Sequence, residues 1–136
     1  MVRGTAQRSL VLILARDFAS RLATAVFLVD AEGTLVYFNE AAEQLLGRAF
    51  VEGRGMTADE WSTVFSPIDE EGEPMPLEEL PLGIAISRRE PAHRRFSIRG
   101  LDGVERTIDA TAFPLFAHAD EFIGAIAFFW GSAGTG

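Results

Sequence analysis

From Phe122 to Trp130 the chain is apolar at almost every position, and this run limits the possible folds more than any other feature. A strand with two apolar faces must lie inside a sheet with cover on both sides, because otherwise half of its side chains would face water. The two preceding segments read as strands with one apolar face each. In His93 to Arg99, Phe96 and Ile98 alternate with Arg95, Ser97 and Arg99; in Glu105 to Leu115, Ile108, Ala110 and Ala112 alternate with Thr107, Asp109, Thr111 and Phe113. Leu101-Asp102-Gly103 supplies the turn between them, and His118-Ala119-Asp120-Glu121 the turn before the final run.

The first half carries two more strands. Val26 to Val29 is a short apolar run, Asp30-Ala31-Glu32-Gly33 a turn, and Leu35 to Phe38 a second run, which together predict an antiparallel hairpin. Asn39 then stands where a helix N-cap is needed, with Glu40 in the first turn, Ala42, Leu45 and Leu46 on the buried face and Gly47 as the left-handed stop. Residues 48 to 80 are irregular, with Phe50, Trp61, Val64 and Phe65 as apolar anchors. Thr57 caps a short helix there, and Pro74 and Pro76 stop anything regular. Leu80 to Arg89 returns to helical spacing, with Pro81 in the first turn and Pro91 beyond the end. At the start, Ser9 to Leu22 reads as an amphipathic helix with Leu10, Leu14, Phe18 and Leu22 at four-residue spacing and Val11 beside them.

The order is helix, two strands, short helices, three strands. It predicts an α+β domain with a five-stranded antiparallel sheet, short helices on one face and the N-terminal helix on the other. A chain of 136 residues holds one such domain. The expected division is residues 1–23 as the helix, 24–130 as the domain and 131–136 as a flexible tail.

Composition narrows the function. A net charge of -8 disfavours nucleic acid and anionic membrane surfaces. The apolar run Leu10 to Ala15 is far too short to span a bilayer, so the reading is cytoplasmic. Without cysteine there are no thiolate nucleophiles or thiolate metal sites, and without lysine no Schiff base. No nucleophile is placed beside a base and an orienting group, so an enzyme is not expected.

The stretches Val26-Phe27-Leu28-Val29-Asp30-Ala31-Glu32-Gly33 and Leu35-Val36-Tyr37-Phe38-Asn39-Glu40-Ala41-Ala42-Glu43-Gln44-Leu45-Leu46-Gly47 carry a resemblance. So do Asp102-Gly103-Val104-Glu105-Arg106, running into Ile108 to Leu115, and Ile123-Gly124-Ala125-Ile126-Ala127-Phe128-Phe129. In order and spacing the chain resembles the PAS family over residues 22 to 130. The resemblance implies a sheet and helices forming a cup around a small molecule, or an interaction surface, with changes relayed through the N-terminal helix or last strand. Family members commonly end that strand with an Asp-Ile-Thr-like step into an output domain. This sequence has Trp130-Gly131-Ser132, so either a lone domain signals to a separate partner protein or the chain is an excised piece.

Among the family's cofactors, the covalent flavin adduct and the coumaroyl chromophore both need a cysteine and are excluded; flavin held without a covalent bond stays open. Haem is disfavoured, because His93 and His118 both read as surface residues. Asp69, Glu70, Glu71 and Glu73 lack the ligand spacing of a calcium loop. The expected ligand set is Leu46, Phe50, Trp61, Phe65, Leu80, Ile84, Phe96, Ile98, Ile108, Ala110, Ala112, Ile126 and Phe128, an almost wholly apolar lining suited to a small hydrophobic or aromatic ligand. A filled core with no ligand is the alternative, and the domain then works as a protein–protein module. Leu10, Leu14, Phe18 and Leu22 either fold over Phe113, Leu115 and Phe129 or pair with a second copy, and a homodimer is favoured. Arg88, Arg89, Arg94, Arg95 and Arg99 follow an acidic stretch, either as a solvated face or as a surface for an anionic ligand or acidic partner.

Overall fold

The final apolar run becomes β5 (Phe122–Gly131), the middle strand of a five-stranded sheet, in a computed structural model that describes residues 2–46, 55–99, 103–118 and 120–131 (backbone alone for residues 2–9 and Leu46). Before it come α1 (Val2–Ser20), β1 (Ala25–Asp30), β2 (Leu35–Phe38), α2 (Glu40–Leu46), α3 (Ala58–Val64), a 3-10 turn (Leu77–Glu79), α4 (Pro81–Arg88), β3 (Ala92–Arg99) and β4 (Glu105–Phe116). The spatial order is β2-β1-β5-β4-β3, with every neighbouring pair antiparallel. Joining the first hairpin to the last strand puts β5 at the centre, as its two apolar faces require.

Register decides which side chains share a face, because residues directly opposite in antiparallel strands project to the same side. Ala110 faces Phe129 and Ala112 faces Ala127, while Phe27 faces Ala127 and Ala25 faces Phe129. These residues form the inner face, which α2, α3 and α4 cover with Ala42, Trp61, Phe65, Leu80, Leu82 and Ala85. On the outer face lie Val26, Leu28 and Ile126, with Phe128 and Leu115 beside them, and α1 covers these through Leu12, Ala15 and Ala19, with Leu22 just past its end.

Local signals act as the sequence suggests. Thr57 accepts from the Glu60 amide while the Glu60 carboxylate accepts from the Thr57 amide, a complete capping box for α3. Pro81 opens α4, and Arg89 closes it in the left-handed conformation. Gly33 turns the first hairpin at φ 84°. Gly124 is required by close approach, since a Cβ there would collide with the Val29 carbonyl oxygen on the adjacent strand.

The N-terminal helix departs from its expected orientation. Leu10, Leu14 and Phe18 are 54%, 58% and 55% exposed, and Ile13 is exposed beside them. The helix is apolar on two sides, and the side bearing Ala15 and Ala19 meets the sheet because small residues let the helix approach strands already filled by Ile126 and Phe128. Of the four expected stripe residues, only Leu22 packs against this cluster.

Asn39 fixes where the helix ends. Its Oδ1 accepts from the amides of Val26 and Ala42, both at 3.0 Å. Its Nδ2 donates to the carbonyl oxygens of Ala19 at 3.0 Å and Thr24 at 2.8 Å, with Leu22 at 3.4 Å. One buried amide therefore caps α2 and ties its start to β1 and the end of α1. The Arg16 guanidinium adds a second tie, lying 4.7 Å over the Tyr37 ring on β2.

Candidate functional site

Between the inner face of the sheet and the helices lies a cavity of about 60 Å³. Its floor comes from the sheet: Ala110 and Ile108 on β4, Ala127 and Phe129 on β5, Phe27 on β1, and Phe96 and Ile98 on β3. Its roof comes from Trp61 on α3, Phe65 and Pro67 just beyond, and Leu80, Pro81 and Leu82 at the start of α4. The space exists because Ala110 and Ala127 are short where the facing side chains are large but rigid. Phe27 packs edge-on to Phe129 at 4.9 Å between ring centres and tilted against Phe65 at 6.4 Å.

Among the described residues no charged side chain lines this cavity. Among the described lining side chains the one polar atom, Nε1 of Trp61, donates to the Gly33 carbonyl at 2.7 Å, so its hydrogen-bonding capacity is spent on the hairpin turn. A guest would therefore gain from dispersion and lost apolar hydration, with no fixed polar anchor to orient it. An engineered cavity of ~150 Å³ takes benzene, so this one, as it stands, has room for no more than a few carbon atoms. A flavin or a haem requires the walls to move.

The structure brings Trp61, Phe65, Leu80, Phe96, Ile98, Ile108 and Ala110 together around this space. Ala112 belongs to the same core without lining the cavity, and Ile84 is buried on α4 away from it. The side chain of Leu46 and all of Phe50 lie outside the described residues. Ile126 and Phe128 require correction: they project from the outer face, and Ala127 and Phe129 take their places. Phe129 likewise moves from the outer face, expected to lie under the N-terminal helix or a second copy, to the inside of the cup. The reason is register, because the pairing of Ala110 with Phe129 sets the facing of β5, and a run apolar on both sides gives no alternation from which to read it. Phe27, Pro67, Pro81 and Leu82 lie outside the expected set; for Phe27 the usable signal is its place on the face of β1 shared with Val29.

The outer face has a polar part beyond the cover of α1. Asp109 is nearly buried there and accepts from Arg95 at 3.3 Å, with Nε2 of His93 at 3.5 Å and the Trp130 ring stacked loosely on His93 at 6.0 Å. His93 and His118 are both exposed, and neither lines the cavity. The acidic loop is organised by Asp69, whose carboxylate accepts from the amides of Glu71 and Glu73 at 2.9 Å. No described helix is long and apolar enough to cross a membrane.

Over residues 19–130 the sequence matches the profile of a family described as PAS fold. No curated protein sequence matches the chain. Similar solved structures include the PAS domain of BvgS from Bordetella pertussis, at 16% identity and a TM-score of 0.60, with 90% of this chain and 85% of that one covered. The PAS domain of nitrogen regulation protein NR(II) from Vibrio parahaemolyticus aligns at 14% identity and a TM-score of 0.60, covering 88% of this chain and 98% of that one. The phage VqmA–DPO complex aligns at 14% identity and a TM-score of 0.63, covering 96% of this chain and 57% of that one.

Proposed function

The chain belongs to the PAS fold family, and on that premise we propose that it is a sensory domain binding a small apolar or aromatic ligand in the cup. Domains of this family serve sensing and regulation rather than catalysis. The observation that carries the ligand reading is the cavity between Trp61, Phe65 and Ala110, lined by hydrocarbon at a place where longer side chains would have closed the core. One similar structure is a complex with DPO, which fits the same reading. At about 60 Å³ the cavity favours a guest of a few carbons, and a ring enters by displacing the first turn of α4 at Leu80 and Leu82.

The output surface on this reading is α1. Its inner side is held by Asn39, and its outer side presents Leu10, Ile13, Leu14 and Phe18 to solvent. A second copy fits that stripe because a two-fold axis sets identical apolar helix faces against each other and hides both at once. Ligand pressure on β5 from the inside reaches α1 on the outside through one strand, since Ala127 and Phe129 face the cavity while Ile126 meets the helix.

The test uses Trp61 as its own reporter, with Trp130→Phe removing the other indole. Titration with benzene should shift the Trp61 emission of that variant, and adding Ala110→Leu, which fills the cavity, should abolish the shift. Native mass spectrometry of the purified protein should show an adduct if a ligand is retained. An emission that ignores benzene, together with a bare chain mass, would favour the second reading, a ligand-free dimerisation module resting on the exposed α1 stripe alone.

A further inference from the structure

The two ends of β3 are treated differently. Its second half is covered along the open edge: the Ser97 amide donates to the Ile68 carbonyl at 3.0 Å, the Ile68 amide to the Ser97 carbonyl at 2.9 Å, and the Arg99 amide to the Phe65 carbonyl at 2.7 Å. Outward bonding alternates along an antiparallel strand, so the other outward-facing backbone belongs to His93 and Arg95. The close side-chain contact of Ser97 and Thr107 at 2.9 Å agrees, since it marks their pair as one that does not exchange backbone bonds. Among the described residues nothing bonds the amides of His93 and Arg95 or the Arg95 carbonyl, and the His93 carbonyl accepts only from the exposed Arg94 guanidinium at 3.0 Å.

The charge around this open half runs against the rest of the chain. Residues 88 to 99 hold five arginines and one glutamate in a protein of net charge -8. Arg95 and Arg99 are paired with Asp109 and Glu105, and Arg89 lies over the Phe122 ring. Arg88 and Arg94 are exposed and have no acidic partner among the described residues. Arg94 projects to the same side of the sheet as Phe96, where α4 and its terminal Arg88 lie. An unpaired edge beside two unsatisfied cations matches one kind of occupant.

We propose that the open half of β3, Ala92 to Phe96, takes an extended acidic segment of a partner protein as a sixth strand. The partner's backbone pairs with His93 and Arg95, and its carboxylates, at alternate positions, meet Arg88 and Arg94. The pairing uses the outward backbone of His93 and Arg95, neither of which lines the cavity, and does not depend on a ligand there.

The test titrates a fluorescein-labelled peptide of alternating glutamate and valine with the full chain and reads anisotropy and amide exchange. Saturable binding is expected, weakening as salt is raised, with slowed exchange at the amides of residues 93 and 95. Arg94→Glu should weaken it about tenfold, as expected when attraction becomes like-charge repulsion. His93→Pro removes an outward amide without touching the β4 ladder, so it should abolish binding while circular dichroism still reads the folded sheet, and His93→Ala, which loses the same contacts with Asp109 and Trp130 but keeps the amide, should still bind. Equal binding of a lysine–valine peptide, no saturable binding, or no change in exchange at 93 and 95 of the unaltered chain would overturn the proposal. So would protection of those amides that rises with protein concentration alone, which would assign the edge to a second copy.

Discussion

Replacing Asn39 with alanine removes four hydrogen bonds of 3.0 Å or shorter from a side chain that is 1% exposed. Each is worth about 1 kcal/mol net, and the one to the Ala42 amide is also the cap of α2. Water entering the space left by the amide recovers part of the total, so the expected loss is about 3–4 kcal/mol. Unfolding entropy of ~2.1 cal/mol/K per residue over this chain gives ~0.29 kcal/mol/K, which converts the loss to a drop of about 10–14 °C by scanning calorimetry. Because the Ala19 carbonyl is one of the partners, protease should also release α1 sooner than in the unaltered protein. Asn39→Asp separates the roles of the two ends of the amide. Its second oxygen would face the Ala19 and Thr24 carbonyls, which favours the protonated acid and raises the folded pKa above its unfolded value. That variant should therefore be most stable below the unfolded carboxyl pKa and lose stability as pH rises through the raised one. A melting temperature within about 3 °C of the original for Asn39→Ala would refute this account of the junction.

Three further outcomes are expected. Gly124→Ala drives a methyl into the Val29 carbonyl at the β1–β5 pairing, and should cost more than about 4 kcal/mol or prevent folding, read by circular dichroism and denaturant titration. Trp61→Phe keeps a ring in the cavity wall but strands the Gly33 carbonyl, and should lower stability by about 1–2 kcal/mol in urea titration. If the proposed dimer forms through the α1 stripe, Leu14→Glu with Phe18→Glu, which alters only positions exposed in the single chain, should keep the circular dichroism of the fold while sedimentation shifts from dimer to monomer.

Much of the fold was legible because the deciding signals are local. Thr57 and Glu60 form their capping box within one helical turn, and Asn39 caps α2 through the Ala42 amide three residues on. Alternation along Glu105 to Leu115 sets Ile108, Ala110 and Ala112 on one face of β4, the inner face of the sheet. Ile108 and Ala110 of that set line the sheet side of the cavity, while its Pro67 and Leu82 walls come from an irregular stretch and a first helical turn whose packing no period describes.

By itself, then, the sequence determined that β5 is central, since nine nearly continuous apolar positions tolerate no wet face. It could not say which of those side chains enters the cup, because alternation carries facing only when one side of a strand is polar. The hydrogen-bonded register between β4 and β5 made that choice and turned Phe129 inward and Phe128 outward. The same holds for α1, apolar on two sides, where the fit of Ala15 and Ala19 against a filled sheet selected the buried stripe. Asn39 shows the same limit at one residue: its cap is local, but its bond to the Ala19 carbonyl, twenty residues back along the chain, exists only once the helix, hairpin and sheet have met.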